Sequence, residues 1–319
     1  MFLVSFLAAF LIMSPLAANK AIQEDSQSLE PLLMRVLSFQ GFVSSSFWES
    51  MAWKRGVTGQ EFFEDSDIKI AEENFKNFCN KVIAFPKPDY SKPPESYSIP
   101  PIIHFIWLGS PIPSKVNLVI GSWKRCHPEW EIMTWTDREV RNFSWSNPRL
   151  QTAFMQAETW AEKADILRLE ILYQFGGIYS DTDVICFKSF HDLVTNGLTF
   201  FAGLEMNYVS NNHEDPLYIG NAIMGAIKGS SIMKYSLDHY RTNEEAPSVN
   251  LPMRSGPGLV SRACHEALAS SDKESVLILP CSYFYPLPYK NKWISSEEVL
   301  SFISAESLVI HLWDGSWLK

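Results

Sequence analysis

Two pairs of charged residues stand out for what they could do together. Asp181 and Asp183 flank Thr182 directly after Tyr179-Ser180, and Asp165 and Arg168 lie three apart in the apolar stretch just upstream. In an extended segment residues i and i+2 project to one face, so both carboxylates of Asp181-Thr182-Asp183 can enter one pocket. Two carboxylates held together repel unless a cation joins them, and a hard divalent ion, Mg²⁺ or Mn²⁺, is the natural partner. Such an ion keeps positions for waters and substrate phosphates. In a helix, a spacing of three puts Asp165 and Arg168 on one face. Charges in a desolvated place must be paired, and on the residues alone the partner is either each other or a polar ligand.

The elements that must position these groups are readable nearby. Ala161, Ala164, Leu167, Ile171 and Phe175 recur every three or four residues, and Ile166, Leu169 and Leu172 widen the stripe until the helix is apolar nearly all round, which predicts burial. Gly176-Gly177 supplies the residue type that ends helices, and Ile178-Tyr179 then begins a strand, so the two aspartates fall where that strand stops. Upstream, residues 102–107 form an apolar run of strand length that ends at Leu108-Gly109-Ser110-Pro111. A helix through Val116, Val119, Ile120 and Trp123 and a second strand over residues 130–135 follow, with Asp137 as a helix N-cap. This alternation predicts an α/β domain over about residues 100–319 with a mostly parallel sheet. Ligands of such sheets sit beyond the carboxyl ends of strands, which places Trp107 beside a site; a core tryptophan closing its strand is the other reading.

Composition bounds the rest. Of 319 residues 46% are hydrophobic, enough for a large core, and acidic residues exceed basic ones by 36 − 27 = 9, so no overall positive field attracts nucleic acid. The five cysteines are too scattered for a disulfide framework or a zinc site. Residues 1–18 carry no charge and read as a signal peptide or a membrane anchor, making the protein secreted or membrane-anchored with a soluble catalytic domain. Residues 19–83 have helical spacing and read as a helical N-terminal region. Residues 84–101 hold six prolines and form a proline-rich linker, leaving 102–319 as the working domain.

Several segments in consistent order resemble a known family. They are His104-Phe105-Ile106-Trp107, Ala164-Asp165-Ile166-Leu167-Arg168, Tyr173-x-x-Gly176-Gly177-Ile178-Tyr179-x-Asp181-Thr182-Asp183, Asn221-Ala222-Ile223-Met224-Gly225-Ala226, Gly256-Pro257, and His311-Leu312-Trp313-x-Gly315-Ser316-Trp317. Together they look like the DXD glycosyltransferases of family 32, a grouping with yeast-type Golgi mannosyltransferases and, more distantly, the glucosylating domains of clostridial toxins. The resemblance implies a GT-A fold, Rossmann-like with flanking helices. It also implies retaining transfer of a hexose from a nucleotide-diphosphate sugar, a UDP- or GDP-hexose, to a hydroxyl of a glycan, lipid or protein acceptor.

Carried over by motif, Trp107 would stack on the base and Tyr179 would line the donor pocket. Asp165 and Arg168 would hold the donor sugar and its phosphate region. Asp181 and Asp183 would bind ribose, sugar hydroxyls and the metal, Mn²⁺ or Mg²⁺, with Asp183 the more direct ligand and His311 a further one. Asn221, Ser316 and Trp317 would complete the donor site, the last nine residues folding back over it. The chain departs from the pattern in having one histidine, His311, where the family often has two, and in Ser180 before the DxD. Two other functions share these features: a catalytically silent nucleotide-sugar-binding protein, and a DxD phosphatase whose pattern wants Thr or Val where Ile185 stands.

Overall fold

The computed structural model describes residues 96–206, 217–269, 275–292 and 296–314. The signal or anchor expected at 1–18, the helical region 19–83 and most of the proline-rich linker lie outside the described residues. The expectation of secretion or membrane anchoring is corrected. Among the described residues no helix is long and apolar enough to cross a membrane.

The domain opens as the apolar runs require. Strand β1 (Ile102–Ile106) leads into helix α1 (Ser114–Cys126), and strand β2 (Glu131–Trp135) into the short helix α2 (Asp137–Arg141). β1 lies between β2 and β3 (Gly177–Ser180) and is parallel to both, and its near-continuous apolar sequence suits a strand covered on its two faces. Asp137 is not the cap of α2. Thr136 is, because Thr136-x-x-Glu139 forms a capping box in which the threonine hydroxyl takes the Arg138 N–H and Glu139 returns to the Thr136 N–H at 3.0 Å.

Helix α3 (Pro148–Gln156) is followed by α4 (Trp160–Phe175), which starts under the Thr159 cap and carries Asp165 and Arg168 into the interior. Its end shows why two glycines stand there. Gly176 and Gly177 have φ of 68° and 93°, and a Cβ would lie 2.6 Å from the Lys228 nitrogen at the first and 2.6 Å from the Ile102 carbonyl at the second. The sharp turn drops the chain directly into β3 beside β1.

After β3 the chain leaves the sheet, makes strand β4 (Val184–Cys186) and helix α5 (His191–Thr195), and returns as β5 (Phe200–Met206) and β6 (Leu217–Ala226). Helices α6 (Ser231–His239), α7 (Leu251–Arg254) and α8 (Pro257–Ala269) precede β7 (Val276–Leu279). Helices α9 (Cys281–Phe284) and α10 (Ser296–Ser301) and strand β8 (Val309–His311) complete the described fold. The main sheet runs β2-β1-β3-β6-β5-β7 and a second, small sheet pairs β4 with β8. The sheet is mixed and mostly parallel with flanking helices. β6 is the strand that breaks the rule, antiparallel to both β3 and β5.

Two buried histidines lock these elements as neutral rings. His104 accepts the Trp135 indole N–H on Nδ1 at 3.2 Å, so its Nε2 carries the proton given to the Gly176 carbonyl at 2.9 Å. His127 works in the opposite tautomer, with Nε2 accepting the Phe190 N–H at 2.8 Å and Nδ1 donating to the Trp123 carbonyl at 3.0 Å. Burial pushes the pKa of each down to about 4.

Candidate functional site

The site forms where β3 stops. Asp181 still follows the ladder, its N–H donating to the Ala222 carbonyl at 2.8 Å, but the Val184 N–H then bonds back to the Asp181 carbonyl at 3.3 Å. Asp181-Thr182-Asp183 is therefore a turn and not the extended segment expected from alternation. β3 has only four residues, and the chain must swing at once to the second sheet to pair β4 with β8. That pairing puts Val184 opposite His311, and the turn lets both carboxylates approach its imidazole. Ligand atoms of Asp181, Asp183 and His311 all lie within 4.8 Å of one another, the group of metal-ligating side chains found among the described residues.

Asp181 and Asp183 sit in different environments. Asp181 takes the Tyr179 hydroxyl at 2.6 Å and faces the Arg168 guanidinium at 3.1 Å, while the Arg168 guanidinium lies over the Tyr179 ring. Burial raises its pKa, with Arg168 opposing. Asp183 faces His311 Nε2 at 3.2 Å and accepts the Asp314 N–H at 2.8 Å. Burial works against its charge too, but His311 and these hydrogen bonds outweigh it and its pKa falls. His311 shows the reciprocal effect: burial opposes its protonation, the Asp183 carboxylate prevails, and its pKa rises. Its Nδ1 is buried with no hydrogen-bond partner. Two carboxylates and an imidazole with such spacing are a donor set that a divalent ion fits.

Behind this centre Arg168 binds the carboxylates together. Its guanidinium lies 3.0 Å from Asp165 and donates to the Asn221 carbonyl at 2.8 Å, with its side chain only 6% exposed. Asp165 is fully engaged, taking the Asn221 amide at 2.9 Å and the Ser255 hydroxyl at 2.8 Å. Burial raises its pKa against the pull of Arg168. Ser255 is missed by the sequence reading, although it directly precedes the Gly256-Pro257 pair. The preceding residue, Arg254, grips Glu162 at 2.7 Å one turn before Asp165, so α7 is held to α4 at two polar points.

Asp165, Arg168, Tyr179, Asp181, Asp183, Asn221 and His311 thus gather around one centre. Trp107 is half-buried just beyond β1, and its polar contacts are to Ser110 and Trp135 rather than to that cluster. Ser316 and Trp317 lie outside the described residues. The tail before them, up to Asp314, runs against the DxD: the Leu312 N–H donates to the Asp183 carbonyl at 3.0 Å, and the Trp313 indole donates to the Leu287 carbonyl at 2.7 Å.

One comparison falls on the DxD part of this cluster. Residues 113–199, which contain α4, β3 and the DxD turn, match the family model described as the glycosyltransferase sugar-binding region containing DXD motif. Over this segment the chain is similar to DXD glycosyltransferases. Among curated relatives, inositol phosphoceramide mannosyltransferase 3 of Schizosaccharomyces pombe is 31% identical over 52% of this chain and 45% of its own length. Lactosylceramide 4-alpha-galactosyltransferase of Mus musculus is 28% identical over 47% of this chain and 40% of its own. The chain thus spans less than half the length of each of these glycosyltransferases. A solved PaToxG glycosyltransferase structure covers 64% of this chain and 80% of its own at 21% identity, with a TM-score of 0.43.

Proposed function

We propose that the protein transfers a hexose from a nucleoside-diphosphate sugar to an acceptor hydroxyl with retention of configuration, using a divalent ion held by Asp181, Asp183 and His311. The observation that carries this reading is the convergence of those three side chains at the end of β3, backed by Arg168 and Asp165. A divalent ion bound there supplies the charge that neutralises a departing diphosphate. An imidazole among the ligands favours Mn²⁺ over Mg²⁺.

The chain's own residues divide the remaining work. Asp165, held from three sides, presents a fixed carboxylate to sugar hydroxyls, and Tyr179 and Asn221 wall the same space. Trp107 offers an indole face to the base from the loop after β1. Asp165, Asp181 and Asp183 are each committed to hydrogen bonds or ion pairs, so none is poised as a covalent nucleophile. Retention is then served by front-face displacement: the acceptor oxygen bonds to the anomeric carbon as the sugar–phosphate bond breaks, and the acceptor proton passes to the leaving phosphate oxygen. A ceramide-based lipid is the acceptor class suggested by the names of the two relatives above.

The test is a panel of UDP- and GDP-hexoses incubated with Mn²⁺ and a ceramide-based lipid, products followed by mass and anomeric configuration by NMR. Transfer with a retained anomer supports the reading. Donor binding without turnover, across the panel, points to a silent nucleotide-sugar-binding protein.

A further inference from the structure

Arg168, the guanidinium beside the DxD, is enclosed. Its guanidinium faces Asp165, Asp181 and the carbonyls of Asn221 and Ala164. A second cation reaches the cluster through the tail. Lys115, in the first turn of α1, pairs with Asp314. Asp314 is itself tied to the DxD through its N–H on Asp183, so the ammonium stands one residue away from the carboxylate of the metal centre. The Lys115 and Asp314 side chains are 24% and 16% exposed, more open than Arg168. α1 adds to the positive field there, since its first turn has no acidic residue and no side-chain cap.

We propose that Lys115 binds the diphosphate of the nucleotide donor, with Asp314 holding the ammonium until the donor arrives and then releasing it. This rests on the donor reading above. A partly exposed ion pair is held weakly enough to exchange. A diphosphate offers more charge and more acceptor oxygens than one carboxylate, and the four-carbon stem of a lysine lets the ammonium follow it. During transfer the electron pair of the sugar–phosphate bond moves onto a phosphate oxygen, and the Lys115 charge meets it there.

The test compares the intact chain with Lys115→Gln, Lys115→Arg and Asp314→Asn by calorimetric titration of UDP and GDP in MnCl₂, with uridine and guanosine as diphosphate-free controls and melting temperature as the check on folding. Lys115→Gln is expected to weaken binding of the preferred diphosphate at least tenfold while leaving its nucleoside unchanged, and Lys115→Arg to restore most of the loss. Asp314→Asn is expected to bind the diphosphate as well as the intact chain or better. Unchanged diphosphate binding by Lys115→Gln overturns the assignment. So does an Asp314→Asn loss as large as that of Lys115→Gln, which would make the pair only a latch for the tail. If the intact chain binds neither UDP nor GDP, the donor reading itself fails, and this assignment with it.

Discussion

His311 and Asp183 come from distant parts of the sequence, yet the imidazole Nε2 lies 3.2 Å from the carboxylate Oδ1. The β4–β8 pairing brings them together, and the Leu312 and Asp314 N–H groups fasten the tail after His311 to the Asp183 carbonyl and carboxylate. Without that small second sheet the DxD would have two carboxylates and no imidazole beside them.

His311→Ala should therefore weaken Mn²⁺ binding by roughly tenfold or more while the protein stays folded, as loss of one metal-site group commonly does. Mn²⁺ EPR titration of the intact chain and the variant measures this. Equal affinities would remove His311 from the metal site.

Arg168→Met should be strongly destabilising. It leaves the buried Asp165 and the half-buried Asp181 without their shared cation, and breaking a buried pair from one side costs about 3–5 kcal/mol. Urea unfolding at pH 7 gives the value; a loss below about 1 kcal/mol would show that the two carboxylates do not depend on Arg168.

Acid should unfold the domain through the buried neutral rings of His104 and His127. Their folded pKa of about 4 lies below the unfolded value of 6.5, so as pH falls through that window the unfolded chain takes up protons first. Stability is full above about pH 6.5 and falls towards pH 4, by on the order of 3 kcal/mol for each ring. Urea midpoints measured across this range should slope less in His104→Gln or His127→Gln than in the intact chain. Parallel slopes would count against the neutral-ring assignment.

Trp107→Ala should weaken nucleotide binding by roughly 1–3 kcal/mol if its indole stacks on the base, and Trp107→Phe should weaken it less. Fluorescence titration with UDP and GDP reads this directly. A core tryptophan gives the opposite pattern, a lower melting temperature with unchanged affinity per folded molecule.

How far the sequence reaches is shown by particular residues. The buried helix with Asp165 and Arg168, the double-glycine stop and the strand leading to Asp181 all follow from local periodicity and backbone freedom, and the structure has each of them. The position of Asp137 does not follow, because the Thr136 capping box competes for the same turn. The DxD turn, the antiparallel setting of β6, and the contacts of Ser255 and Asp314 depend on chain segments far apart in sequence. No local spacing encodes them. Ser255 could be suspected only because it precedes Gly256-Pro257, and Gly256 is confined by close backbone contact with Pro252.

If turnover runs through a divalent ion at Asp181, Asp183 and His311, Asp183→Asn must abolish it, because the change removes charge with almost no change of volume and keeps an acceptor for the Asp314 N–H. The measurement is release of nucleoside diphosphate from UDP- and GDP-hexoses in Mn²⁺, in chelator, and in chelator with Mn²⁺ restored, for the intact chain and the variant. The intact chain should turn over donor, stop in chelator and recover with Mn²⁺, while Asp183→Asn should lose at least a hundredfold in rate with its melting temperature within a few degrees. Full turnover of the intact chain in chelator, or of Asp183→Asn in Mn²⁺, would contradict the account.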